Sequence, residues 1–195
     1  MLYSELQCSE AIHKAVERMG FAEMTEIQEK TIPVMLAGHD VIAKAPTGTG
    51  KTCAFGIPVA EHILPENKYP QAVIMAPTRE LAQQIADELT QLTYFMPEVQ
   101  VACVYGGANM EKQAKRLAEG CQIVVATPGR LMDHYKHHTI DISHVTQIVL
   151  DEADEMLNMG FYKDVRHIIE MMKARKALSM FSATISREVM DIGWL

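Results

Sequence analysis

The chain has 195 residues, 48% of them hydrophobic, which is enough to bury the core of one domain of ordinary to large size. Eighteen basic residues against twenty-five acidic ones leave a net charge of −7, which excludes a protein that grips nucleic acid over its whole surface and confines any such contact to a local patch. No run of about 18 apolar residues occurs, and the N-terminus MLYSELQCSEAIHK lacks the basic-then-apolar layout of a signal peptide, so a soluble, cytoplasmic protein with no membrane span is expected.

Along the chain, Ile12, Ala15, Val16 and Met19 repeat at helical spacing and stop at Gly20, which suits the left-handed position just past a helix end. A second helix is expected from Thr25, where Thr25-Glu26-Ile27-Gln28 forms a capping box that explains Gln28 without any ligand. Val41–Ala45 reads as a strand, followed by Pro46-Thr47-Gly48-Thr49-Gly50-Lys51-Thr52 and the helical run Cys53–Leu64. Further strands are expected at Ala72–Ala76, Val101–Tyr105, Ile123–Ala126, Ile148–Leu150 and Leu178–Phe181. The segments between them read as helices, notably Glu80–Leu92, Lys112–Glu119 and Tyr162–Lys173. Such alternation predicts an α/β fold with a mostly parallel sheet, helices on both faces, and ligands at the carboxyl ends of the strands. With no internal repeat, low-complexity tract or linker in the sequence, residues 1–195 are expected to form one domain.

The strand-end rule tests each chemical motif. After Val41–Ala45, the glycines allow consecutive backbone N–H groups to curl around phosphate oxygens, and the next helix adds its positive end. Lys51 would meet the β and γ phosphates, and the Thr52 hydroxyl would bind Mg²⁺. The usual first glycine of this pattern is Ala45 here. Ile148–Leu150 delivers Asp151, Glu152 and Asp154 at its carboxyl end; one carboxylate there can hold Mg²⁺ and a neighbouring one can polarise an attacking water. Acids after a strand, taken alone, read as a solvated loop; paired with a phosphate loop on the same sheet they read as a site.

Other strand ends lead to Pro77-Thr78-Arg79, Gly106-Gly107, Thr127-Pro128-Gly129-Arg130 and Ser182-Ala183-Thr184. Each has a structural explanation: Thr78 and Thr127 as N-caps, Pro128 as a first helical residue, Ser182 closing a strand-end turn. Cys8, Cys53, Cys103 and Cys121 form no C-x-x-C pair and are expected as reduced thiols in a packed interior. His134, His137 and His138 read better as a polar helix end than as a metal site, because no acid or cysteine completes a ligand set.

In order, these segments resemble the amino-terminal RecA-like domain of a DEAD-box ATP-dependent RNA helicase, and the resemblance covers nearly the whole chain. Gly20-Phe21 with Thr25-Glu26-Ile27-Gln28 is similar to the family's Q motif, and Ala45 to Thr52 to its motif I, where alanine is a usual first residue. Asp151-Glu152-Ala153-Asp154 spells the name-giving box. The resemblance implies a RecA-like P-loop NTPase fold, with ATP and Mg²⁺ as cofactors and Lys51, Asp151 and Glu152 as catalytic residues. ATP would be held by Tyr3, Phe21, Gln28 and Ala45 to Thr52, with Gln28 reading the adenine edge and Tyr3 stacking on the base. Mg²⁺ would be held by Thr52 and, through water, by Asp151. The RNA sugar-phosphate backbone would lie along Pro77, Thr78, Arg79, Gly106, Gly107, Thr127, Pro128, Gly129 and Arg130. Asp154, Ser182, Ala183 and Thr184 would link hydrolysis to unwinding.

The sequence departs from the family at Tyr3, usually phenylalanine, and at Met24 and Glu26, where proline is more frequent. The family's second RecA-like domain, with its arginine fingers, is not represented after Ser182-Ala183-Thr184, so the chain is expected to be an excised first domain, a monomer with very low activity by itself. The expected activity is an RNA-stimulated ATPase that remodels short duplexes between two domains. A non-catalytic ATP-dependent clamp or scaffold shares the same pocket, but intact Lys51, Asp151 and Glu152 favour the enzyme. A DNA translocase on the same fold is disfavoured by the spelling of the box.

Overall fold

The computed structural model describes residues 1–45 and 51–195. Its strands are β1 (Ile42–Lys44), β2 (Ala72–Met75), β3 (Val101–Val104), β4 (Ile123–Ala126), β5 (Gln147–Asp151) and β6 (Ala177–Ser182). They pair in the order β1-β6-β5-β2-β4-β3, and every pairing is parallel. The connecting helices are α1 (Glu10–Arg18), α2 (Glu26–Leu36), α3 (Lys51–Glu61), α4 (Arg79–Leu92), α5 (Met110–Ala118), α6 (Pro128–Lys136), α7 (Ala153–Asn158), α8 (Tyr162–Met171) and α9 (Arg187–Gly193), after a single 3-10 turn at Tyr3–Glu5.

Side chains alternate across the strands, so one sheet feeds two cores. Ala43, Ile74, Val125, Val149 and Phe181 face α1 to α4, where Ile12, Ile32, Phe55 and Leu89 pack. Val73, Met75, Val124, Ile148, Leu150 and Met180 face the other way, against Leu117, Leu131, Met156, Val165, Ile168 and Val189 of α5 to α9. Phe55 and Phe181, with ring centroids 5.4 Å apart, tie α3 to β6. Gly56 explains how α3 approaches α4: a Cβ there would lie 2.8 Å from Leu92 Cδ1. Helix α1 closes as expected, with Gly20 at φ +84° beyond the Met19 cap, and α2 opens with the Thr25–Gln28 capping box. Among the described residues, no helix is long and apolar enough to cross a membrane.

Candidate functional site

Strand order decides which motifs become neighbours. The carboxyl ends of β1, β6 and β5 lie side by side in one half of the sheet, and those of β2, β4 and β3 in the other. The first half brings together Ala45, Lys51, Thr52, Asp151, Glu152, Asp154 and Ser182 to Thr184. The second brings together the segments beginning at Pro77, Gly106 and Thr127.

In the first half, the Ala45 amide donates to Ser182 O at 2.8 Å, fixing the end of β1 against β6. Pro46, Thr47, Gly48, Thr49 and Gly50, expected to complete the phosphate cradle, lie outside the described residues. Lys51 and Thr52 open α3 and are buried. Lys51 Nζ donates to Asp151 Oδ1 at 3.2 Å and lies 3.9 Å from Glu152 Oε2. Asp151 is 1% exposed; burial pushes its carboxyl above the usual range, which the Lys51 ammonium and the Glu152 amide only partly offset. Burial also raises Glu152; Lys51 pulls against it, while Asp151, Glu155 and Asp154 add to the rise. Glu152 holds the left-handed conformation at φ 50° and ψ 51°, rare for a residue with a side chain and characteristic of sites where surroundings over-determine the backbone.

These groups fit a magnesium-bound polyphosphate. Thr52 supplies a hydroxyl, Asp151 a carboxylate and Lys51 an ammonium, and Mg²⁺ commonly takes one or two protein ligands while phosphates and water complete its octahedron. Among the described residues, no group of three or more His, Cys, Asp or Glu side chains forms an all-protein metal cage.

Asp154 bridges β5 and β6. Its Oδ2 accepts from Thr184 N at 3.1 Å and Thr184 Oγ1 at 2.9 Å, while Oδ1 accepts from Glu155 N at 3.0 Å. Burial by itself would raise this carboxyl, but the bonds from Thr184, Ser182 and Glu155 outweigh it and hold the group below the ordinary range. The Asp154 amide donates to Ser182 Oγ at 3.1 Å, and Ser182 Oγ donates to Thr184 O at 2.6 Å, the strand-end turn expected of Ser182. Ala183 lies between the two.

On the face beside α2, Gln28 is 2% exposed, and its Oε1 accepts from Thr25 N at 3.0 Å and from the Tyr3 hydroxyl. Tyr3 differs from the expectation of an open stacking ring: it is 5% exposed and packs against Phe21, 6.2 Å between centroids, because its hydroxyl finds a buried acceptor in Gln28. Phe21, 43% exposed, is the open ring of the pair.

In the second half, Thr78 caps α4 through Leu81 N at 3.2 Å, whereas Thr127, buried at the start of α6, makes no side-chain cap bond. Pro128 takes the first helical position there, and Gly129 follows it. Arg79 lies over the Tyr105 ring at 4.7 Å, and the hydroxyl of that ring accepts from Gln83 at 3.0 Å. Gly107 adopts φ +86° beside Arg79, a conformation that glycine enters without strain. Arg130 Nη1 donates to Ala108 O at 3.0 Å and to Gln113 Oε1 at 3.1 Å. Gln113 carried no signal in the sequence beyond being a polar residue on a helix, yet it is 8% exposed and central to this cluster.

The remaining candidates are structural. His134 is fully buried, with Nδ1 2.7 Å from Thr139 Oγ1 and Nε2 3.1 Å from Gln113 Oε1; His137 Nδ1 lies 2.8 Å from Asp133 O, and His138 ends the helix at φ 56°. All four cysteines are free: Cys53 and Cys121 are buried, Cys8 and Cys103 partly so. Burial pushes Cys53 up to about 12 and the other three to about 11, which suppresses thiolate chemistry.

Residues 25–192 match the DEAD/DEAH box helicase family. The chain is 49% identical over 193 residues to the ATP-dependent RNA helicase CshA of Limosilactobacillus reuteri, covering 99% of this chain and 39% of that protein. It is 49% identical over 191 residues to CshA of Listeria monocytogenes, covering 98% of this chain and 36% of that one. The crystal structure of a DEAD box protein from the hyperthermophile Methanococcus jannaschii is similar with a TM-score of 0.91 at 41% identity, over 100% of this chain and 53% of that chain. That of a hypothetical ATP-dependent RNA helicase from Sulfolobus tokodaii gives 0.87 at 41% identity, over 94% and 53%. The chain therefore spans 36% to 39% of the length of these two curated relatives. A match running from Thr25 to Ile192 takes in every strand of the sheet and both halves of its carboxyl edge; the chain belongs to the DEAD/DEAH box helicase family, and Asp151-Glu152-Ala153-Asp154 places it on the DEAD-box side.

Proposed function

We propose that this chain is the ATP-binding amino-terminal half of an ATP-dependent RNA helicase of the cytoplasm, which works as a monomer with a second RecA-like domain. The observation that supports this reading is the division of the sheet edge: Lys51, Thr52, Asp151 and Glu152 gather at β1, β6 and β5, and the segments beginning at Pro77, Gly106 and Thr127 gather at β2, β4 and β3.

The triphosphate brings the bond to be broken and Mg²⁺ screens its charge; the protein supplies orientation, charge and a proton acceptor. Ala45 to Thr52 would curl around the phosphates, with Lys51 leaving Asp151 to meet the β and γ phosphates. The Thr52 hydroxyl and, through water, the Asp151 carboxylate would hold the cation. Glu152, raised by burial and held in a left-handed turn, is suited to take a proton from the attacking water. Phe21 is the exposed ring available to the adenine face, with Tyr3 behind it fixing the Gln28 amide that reads the edge. Pro77 to Arg79, Gly106-Gly107 and Thr127 to Arg130 would follow the RNA sugar-phosphate backbone, a mode of binding without base reading. Asp154, bonded to Thr184, ties the end of β5 to the Ser182-Ala183-Thr184 segment and would pass a change at the phosphate site to the neighbouring domain.

The test is steady-state ATP turnover by a polypeptide extended through a second RecA-like domain. Glu152→Gln should retain ATP and RNA binding and lose turnover, because the amide keeps the shape but cannot take the proton; full hydrolysis by that variant would remove Glu152 from the reaction. The 195-residue chain alone should turn over very slowly with or without RNA, since an arginine finger from another domain is worth roughly 10³–10⁵ in rate.

A further inference from the structure

Gln113 joins three pieces of the second half of the sheet edge through one amide. Its Nε2 donates to Tyr105 O at 3.0 Å, at the exit of β3 and directly before Gly106-Gly107. Its Oε1 accepts from Arg130 Nη1 and from His134 Nε2, each at 3.1 Å. Because Oε1 can only accept, His134 carries its proton on Nε2. The burial of His134, followed by the like charge of Arg130, lowers its basicity and keeps the ring neutral.

The consequence for Arg130 lies in which nitrogens remain. Nη1 is committed to Ala108 O and Gln113 Oε1. Nε is buried without a hydrogen-bond partner and has only the Asp133 carboxylate at 3.7 Å, while Nη2 makes no hydrogen bond among the described residues. Nε and Nη2 form one edge of the planar guanidinium, and that edge can grip two oxygens of a phosphate at once. A rotatable arginine could offer any edge. Held at Nη1, this one turns that edge alone toward a ligand, with Nε reached once the Asp133 carboxylate beside it moves away.

The geometry points to Gln113 as a positioning residue of the polynucleotide track: its buried amide locks the Tyr105–Gly107 turn to Arg130 and aims the Nε–Nη2 edge of Arg130 at a backbone phosphate. Asp133, half exposed beside Nε, holds the edge in the absence of nucleic acid and is displaced by the phosphate. This role rests on the reading of Arg130 as a backbone contact, and Arg130→Ala serves as the control that separates the two.

The experiment measures the affinity of the 195-residue chain for a short fluorescein-labelled oligouridylate by anisotropy across a series of salt concentrations, alongside ADP affinity and thermal unfolding. Arg130→Ala should weaken RNA binding and flatten the salt dependence by about 0.7, the contribution of one phosphate on a single strand. Gln113→Leu should weaken binding by about tenfold and flatten the slope by a similar amount, with ADP affinity unchanged, since a misaimed fork forfeits a charge-assisted contact. In the Arg130→Ala background, Gln113→Leu should add nothing further. If Gln113→Leu lacks a cooperative thermal transition, Gln113→Asn carries the same expectation, its amide falling one methylene short of Arg130. RNA binding and slope unchanged by the Gln113 variant while Arg130→Ala loses both overturns the positioning role, as does an undiminished loss from Gln113→Leu in the Arg130→Ala background. No effect of Arg130→Ala overturns the reading of the track itself, and the role of Gln113 falls with it.

Discussion

Asp154→Ala should destabilise the chain by about 2–4 kcal/mol, a magnitude that follows from the bonds it removes. The carboxylate accepts from Thr184 N, Thr184 Oγ1 and Glu155 N, at 3.1, 2.9 and 3.0 Å. Each bond to a charged group is worth about 1.5–3 kcal/mol, but Thr184 is exposed, so its donors regain water once the carboxylate is gone and the three do not add in full. Asp154→Asn keeps an acceptor and loses the charge, and should cost about 1–2 kcal/mol. The sign with pH is fixed by the lowered folded-state value: the contribution is complete above the ordinary 3.8 and is lost as pH falls through the lower folded value, so both variants should flatten the acid limb. Urea unfolding of the 195-residue chain followed by far-UV circular dichroism measures the difference, with Thr184→Val closing a double-mutant cycle. A cost for Asp154→Ala below about 0.5 kcal/mol, typical of an unremarkable surface change, would refute the idea that Asp154 clamps β6 to β5.

Two further outcomes follow from buried polar groups. ADP should bind at least about tenfold more tightly than GDP, the worth of one well-made hydrogen bond, and Gln28→Ala should erase the preference; equal affinities in the parent chain would leave Gln28 a structural residue, bonded to Thr25 and Tyr3. Burial and then Arg130 lower His134 from 6.5, so the unfolded chain binds the extra proton first and stability falls as pH drops from 6.5 toward the lower folded value, at up to about 1.4 kcal/mol per pH unit. His134→Gln should remove that slope from urea midpoints taken across the interval, and an unchanged slope would show that the ring titrates normally.

The strands were largely legible because each apolar run is short and bounded by turn residues: Ile123–Ala126 agrees at both ends, and Ile148–Leu150 widens only to Gln147–Asp151. Helices α7 and α9 gave no separate signal, being short segments whose conformation is set by packing on the second core and, at α7, by the left-handed turn at Glu152. The order β1-β6-β5-β2-β4-β3 could not be read from periodicity, which marks strands but not neighbours, and that order is what separates the two halves of the edge. Asp151 and Glu152 stood out because acids come at the end of an apolar strand run, and Lys51 because it closes the glycine-rich run that follows β1. The burial of Tyr3, expected as an open stacking ring, and of Gln113 was not legible, since the exposure of a side chain depends on what other segments lay over it. The first is covered by Phe21, and the second is enclosed by Arg130, His134 and Tyr105.

If nucleotide and RNA occupy different halves of one sheet edge, amide chemical-shift mapping on the 195-residue chain will separate them. Addition of Mg-ADP should move the signals of Gln28, Thr52, Asp151 and Glu152 while leaving Arg79, Gly107 and Arg130 in place. Addition of a short oligouridylate at low salt should do the reverse. Shifts from both ligands converging on the same residues, or an oligouridylate response centred on Asp151 and Thr52, would contradict the division on which the functional reading stands.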